Sequence, residues 1–128
     1  GRYRGGTTAF PEATQWIRGV SNADIGVVGQ YLVMKYPFYG PDRTNRVRYI
    51  AIERPDHSVR APADCTEWTA LLVRGGYDYV AINTPATAYS PVQWTERIPG
   101  VERVLRTDAG EFTLTIFRLP EDLEATPC

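Results

Sequence analysis

The sequence predicts an α/β fold, a three-layer α/β/α domain around a mostly parallel sheet of about five strands with a C-terminal antiparallel hairpin. Three observations lead there. Segments whose apolar residues recur at helical spacing alternate with short runs rich in β-branched residues, the order expected of strands joined by helical crossovers. Ile25-Gly26-Val27-Val28-Gly29 is apolar without alternation, as a central strand covered on both faces should be. Near the end of the chain, Phe112, Leu114 and Ile116 alternate with Thr113, Thr115 and Phe117 in the two-residue period of a strand.

Each element has a local reason. Pro11 suits a first helical turn, where its missing N–H costs nothing, and Phe10, Ala13, Trp16, Ile17 and Val20 recur at helical spacing until Gly19. The turn-like Ser21-Asn22-Ala23-Asp24 leads into the first strand. Gln30 to Lys35 is expected to form a single helical turn, followed by a loop and a second strand, Val47-Arg48-Tyr49-Ile50-Ala51-Ile52. Residues 53–63, with Pro55 and Pro62, are expected to be loop. Asp64 and Glu67 form a variant capping box before a helix whose apolar face is Trp68, Leu71 and Leu72, and Gly75-Gly76 supplies a left-handed stop. Tyr77 to Asn83 gives the third strand. Ser90-Pro91-Val92-Gln93 opens a short helix with Trp94 and Ile98 inward, ending before Pro99-Gly100. From Val101 to Leu119, two stretches flank the turn Thr107-Asp108-Ala109-Gly110 as a hairpin.

At 128 residues the chain is the size of one domain. Residues 1–8 read as a flexible lead-in, 9–119 as a single α/β domain and 120–128 as a C-terminal tail. A formal net charge of -1 gives no reason to expect nucleic acid as a partner. No apolar run approaches the roughly 18 residues that span a bilayer. The chain starts at Gly1 without methionine, so a part cut from a longer protein is expected, whose membrane spans can lie elsewhere. Of its 14 basic residues all but Lys35 are arginine, which points to a GC-rich bacterial genome and dilutes any single arginine as a clue.

Catalytic patterns are missing from the sequence. His57 stands alone, and its neighbours Asp56 and Ser58 do not make a triad, whose members must meet in space. Gly26 and Gly29 fall short of a dinucleotide fingerprint, and there is no phosphate-binding loop. No metal or cofactor is expected. The cysteines, Cys65 and Cys128, fit no zinc or Cys-x-x-Cys pattern. Two readings stay open. A disulfide between them would stabilise the fold by about 4 kcal/mol and argue for an oxidising compartment; otherwise they are unpaired thiols, with Cys128 on a frayed tail. A nucleophilic Cys65 in a first helical turn has a rationale but no evident base.

The candidate binding surface is the loop Tyr36-Pro37-Phe38-Tyr39-Gly40-Pro41-Asp42-Arg43-Thr44-Asn45-Arg46. It follows a strand's carboxyl end, where open α/β sheets collect ligands. Tyr36, Phe38 and Tyr39 can stack on a sugar ring or line an acyl groove, and Arg43 and Arg46 can grip phosphate or carboxylate by forked hydrogen bonds, with Asp42 and Asn45 as further polar contacts. In the plainer alternative the aromatics cover the sheet edge, the prolines stiffen the crossing and Asn45 caps a turn.

Trp16-Ile17-Arg18, Ile25-Gly26-Val27-Val28-Gly29, Tyr36-Pro37-Phe38-Tyr39-Gly40-Pro41, Asn45-Arg46-Val47, Gly76-Tyr77-Asp78-Tyr79-Val80 and the strand Phe112 to Leu119 together carry a resemblance. It covers about the whole chain. The chain resembles the C-terminal domain of bacterial polytopic membrane glycosyltransferases related to protein mannosyltransferases and aminoarabinose transferases, which take sugars from polyprenyl-phosphate carriers. The resemblance implies a soluble domain on the extracytoplasmic face of the membrane, partnered by the transmembrane portion of the same polypeptide. The family's catalytic acidic residues lie in loops of that membrane portion, so no residue here inherits a catalytic role. What is expected instead is help in positioning a glycan acceptor or polyprenyl-phosphate sugar. The rival expectation is a free-standing small α/β module that binds a sugar or small anion through the same loop.

Overall fold

The computed structural model describes residues 11–29, 44–56, 58–60, 62–85, 90–109 and 112–124. The expected helical turn at Gln30 to Lys35, His57 and Cys128 lie outside them.

Helix α1, Pro11–Ile17, buries Ala13 and Ile17, four residues apart on one face. The chain then winds through short bonds, Gly19 N to Trp16 O at 3.1 Å and Val20 N to Ile17 O at 3.0 Å, and turns at Asn22 with φ 56°. Strand β1, Asp24–Gly29, enters the middle of the sheet. Its Gly26 is needed for close packing: a Cβ there would lie 2.6 Å from Ile50 Cδ1 and 3.1 Å from the Tyr77 ring.

β2, Arg46–Tyr49, pairs with β1 in parallel, and its exposed Arg46 and Arg48 flank the buried Val47. Residues 53–63 hold more structure than a plain loop. β3, Ile52–Glu53, and β4, Val59–Arg60, form a small antiparallel ribbon, closed by Arg54 N to Ser58 O at 2.7 Å. Asp56 Oδ1 accepts from both the backbone N–H and the hydroxyl of Ser58, an Asx turn that brings the two strands together.

Helix α2, Cys65–Gly75, begins at the predicted cap: Asp64 Oδ1 accepts from Glu67 N at 2.8 Å, and Glu67 Oε1 accepts from Ala63 N at 2.8 Å, one residue before the usual partner. Gly76 ends it at φ 63°, its N–H donating to Leu72 O. β5, Tyr79–Pro85, pairs in parallel with β1. Helix α3, Ser90–Glu96, precedes the hairpin of β6, Glu102–Ala109, and β7, Phe112–Arg118. Arg118 donates to Glu102 across that hairpin.

The main sheet has five strands in the order β2-β1-β5-β7-β6. It is mixed, which corrects the expectation of a mostly parallel sheet. The hairpin does not simply append an antiparallel edge. Its second strand docks antiparallel against β5, so only the β2-β1-β5 half is parallel. Burial explains the choice, since β7 carries Leu114, Ile116 and Phe117, all fully buried, whereas β6 carries Glu102, Arg103, Arg106 and Asp108 and suits an edge.

Alternation along the strands feeds two apolar clusters. Ile25, Val27, Ala81, Leu114 and Ile116 pack with Ala13 and Ile17 of α1. Val28, Val80, Ile82 and Phe117 pack with Trp68 and Leu72 of α2, against which Val92 and Trp94 of α3 also lie. Trp68 Nε1 donates to Thr95 Oγ1 at 2.9 Å, and that hydroxyl donates to Pro91 O at 2.6 Å, so the buried indole N–H is satisfied through the neighbouring helix.

Candidate functional site

Of the sequence-predicted loop, Tyr36, Phe38, Tyr39, Asp42 and Arg43 lie outside the described residues. Asn45 and Arg46 lie within them, at the start of β2. Because β2 runs parallel to β1, the segment that leaves the carboxyl end of β1 must return to the amino edge of the sheet before β2 can begin. Asn45 and Arg46 therefore sit at the opposite end of β1 from the edge where such sheets gather ligands, about 17 Å away along the six-residue strand.

Asn45 is 3% exposed. Its Oδ1 accepts from Ala23 N at 2.9 Å and its Nδ2 donates to Val20 O at 3.0 Å, which ties the turn after α1 to the entry of β2. Beside it, Thr44 Oγ1 accepts from Asn22 N at 3.1 Å. The carboxamide thus faces the chain itself.

Arg46 grips Asp24 with both arms of its fork, Nε to Oδ1 at 2.6 Å and a terminal nitrogen to Oδ2 at 2.7 Å, while most of its side chain stays exposed. Those hydrogen bonds, helped by the nearby charges of Arg46 and Arg48, hold the Asp24 carboxyl below its usual range despite partial burial. Arg46 is shifted upward for the same reason, chiefly by its hydrogen bond to Asp24. Asp78 Oδ2 accepts from Asp24 N, and Arg48 donates to Gly75 O at 2.6 Å while its guanidinium lies 4.8 Å from the Tyr77 ring centre. Burial pushes the Tyr77 hydroxyl up. This edge combines one ion pair, Arg46 with Asp24, with charge-to-backbone bonds from Asp78 and Arg48, and it joins β1, β2, the entry to β5 and the end of α2.

The carboxyl edge of β1 and β5 is different. There Asn83, 4% exposed and level with Gly29, has no hydrogen-bond partner for either its Oδ1 or its Nδ2 among the described residues. Across β7, Thr107 Oγ1 of β6 donates to Glu12 Oε1 of α1 at 2.9 Å. Sequence reasoning passed over Asn83. The available signal was a polar residue closing the apolar run Val80-Ala81-Ile82 at the carboxyl end of a central strand.

Cys65 is disulfide-bonded, so it presents no free thiol for nucleophilic chemistry. The chain's other cysteine, Cys128, lies outside the described residues. Among the described residues no group of three or more His, Cys, Asp or Glu side chains could hold a metal ion, and no helix is long and apolar enough to cross a membrane. No protein-family model matches this chain, and no curated protein or solved structure matches it.

Proposed function

We propose that this chain is a non-catalytic, extracytoplasmic domain of a bacterial membrane glycosyltransferase, which helps position a glycan acceptor or a polyprenyl-phosphate sugar for an active site in the transmembrane portion of the same polypeptide. The resemblance carried by the residue strings from Trp16-Ile17-Arg18 to the strand Phe112 to Leu119 is its starting point. The observation that carries it beyond resemblance is the disulfide at Cys65, because reducing systems keep cytosolic thiols unpaired and such bonds persist outside the cytoplasm. A three-layer α/β/α arrangement belongs to the same reading, with α1 packed in one apolar cluster and α2 and α3 in the other.

The substrate-facing surface in this proposal is the aromatic and arginine loop, with Tyr39 and Arg43 as its leading contacts. Arg46 contributes its exposed guanidinium while remaining forked onto Asp24. The test is a transfer assay on the full-length enzyme carrying Tyr39→Ala, Arg43→Ala and Arg46→Ala together, beside an Asp24→Asn control that breaks the ion pair alone. Transfer should fall by about tenfold or more in the triple variant, the loss of roughly 1.4 kcal/mol of binding, and hold in the control. Unchanged turnover in the triple variant sinks the proposal. The rival, a free-standing module, is separated by the coding sequence upstream of Gly1, where a membrane enzyme requires several apolar segments of about 20 residues.

A further inference from the structure

We infer that Asn83 is the polar anchor of a sugar-binding site at the carboxyl edge of β1 and β5, taking a pyranose hydroxyl that donates to its Oδ1 while accepting from its Nδ2 or lies beside a second hydroxyl that does so. This rests on the reading that the domain handles a sugar, and it locates the contact away from the arginines at the start of β2.

Position is the first argument. β1 connects outward to β2 on one side, and β5 connects outward through α3 to the β6-β7 hairpin on the other, so their shared carboxyl edge is where the chain's connections diverge. In open α/β sheets this divergence opens the crevice that receives ligands. Asn83 stands there beside Gly29, which projects no side chain toward it.

The unfilled carboxamide is the second. Buried polar groups are almost always paired, and one that is not has a cost the fold must offset elsewhere. Here both ends of one amide are unpaired among the described residues. Its complement must both donate and accept. A hydroxyl does so, whereas phosphate or carboxylate would fill Nδ2 alone.

The surroundings give the third. On the face of the sheet that carries α1, the residues level with Asn83 are Gly29, Leu114 and Thr107, and Thr107 is hydrogen-bonded to Glu12. Two strand spacings, about 10 Å, separate Asn83 from Thr107. In this row the Asn83 amide and the Thr107 hydroxyl stand on either side of the apolar Leu114, Glu12 of α1 accepts from Thr107, and no cation is among them, which suits a neutral ligand with both hydroxyls and an apolar face and disfavours an anion.

The experiment is a nuclear magnetic resonance titration of the 128-residue chain with methyl α-mannoside and methyl α-glucoside, with inorganic phosphate as the charged control. A pyranoside should shift the Asn83 carboxamide signals and the Gly29 and Thr107 amides, and phosphate should leave them in place. Asn83→Leu should abolish those shifts and raise Tm by about 3–6 °C, because it replaces an unpaired amide with an apolar group of similar size. Asn83→Ala, which cannot overpack the site, should also abolish the shifts. A fall in Tm for Asn83→Leu while Asn83→Ala keeps the pyranoside shifts overturns the inference, since the amide would then be paired within the folded chain or by a buried water. Unmoved Asn83 signals at saturating pyranoside overturn it as well. Pyranoside shifts confined to Tyr36 through Arg46 would overturn it while leaving the proposed function standing. Shifts at Asn83 with unchanged transfer in the Tyr39, Arg43 and Arg46 variant would do the reverse.

Discussion

With the Ala23 N–H on its oxygen and the Val20 carbonyl on its nitrogen, Asn45 closes a junction between α1, β1 and β2 through a single buried carboxamide. Removing it strands a donor and an acceptor inside the fold, each costing about 1–3 kcal/mol. Asn45→Ala is therefore expected to destabilise the domain by about 2–3 kcal/mol, read as a lower denaturation midpoint at unchanged m-value. A midpoint equal to wild type would return Asn45 to the ligand-facing role that its loop suggests. The residue type was legible in the sequence and its task was not, because an asparagine before a strand serves equally as a turn cap or a binding group until its partners are known. Arg46 repeats the point: two arginines in one loop suggest an anion site, yet the anion Arg46 holds is Asp24, 22 residues earlier in the chain. Asn83 is the converse case, overlooked because a lone polar residue in an apolar strand carries no spacing signal.

At the scale of elements the local chemistry was more readable. The Asp64 and Glu67 cap, the left-handed Gly76 and the inward Trp68 and Leu72 all follow from side-chain chemistry within a few residues, and all are found in α2. The ribbon of β3 and β4 is not legible in the sequence because its strands are two residues each, too short for a period to register, and because an Asx turn beside Pro55 has the composition of a plain loop. How α2 meets α3 depends on a contact that no local pattern carries, the Trp68 indole N–H on the Thr95 hydroxyl. Both residues are fully buried. Thr95→Val keeps the volume and deletes the acceptor, leaving the indole donor unpaired, so a loss of about 1–3 kcal/mol is expected in equilibrium unfolding. A matching Trp68→Phe, Thr95→Val double variant should show coupling between the two changes; strict additivity would mean that the hydrogen bond does not join the helices.

For the whole molecule, sequence patterning identified the α/β class and the five strands but misjudged how the sheet is assembled. Patterns report each strand's burial and each turn's chemistry; they do not report which member of a hairpin enters the sheet. Burial of β7 on both faces, Leu114 and Ile116 on one and Phe117 on the other, against the charges along β6, decides that β7 sits next to β5. The covalent constraint acts on this same assembly. Cys65 is the first residue of α2, and pairing it with Cys128, the one other cysteine in the sequence, would enclose α2, α3 and the strands β5, β6 and β7. Closing a loop of that length restricts the unfolded chain by about 4 kcal/mol, a substantial part of the 5–15 kcal/mol typical of a domain's stability. Thermal melts of the purified chain with and without reductant should differ accordingly, with Tm lower by about 10 °C or more when reduced. Cys65→Ser should melt at the reduced value under both conditions. Equal Tm values with and without reductant would remove the bond's stabilising role, and with it the strongest support for a domain that works outside the cytoplasm.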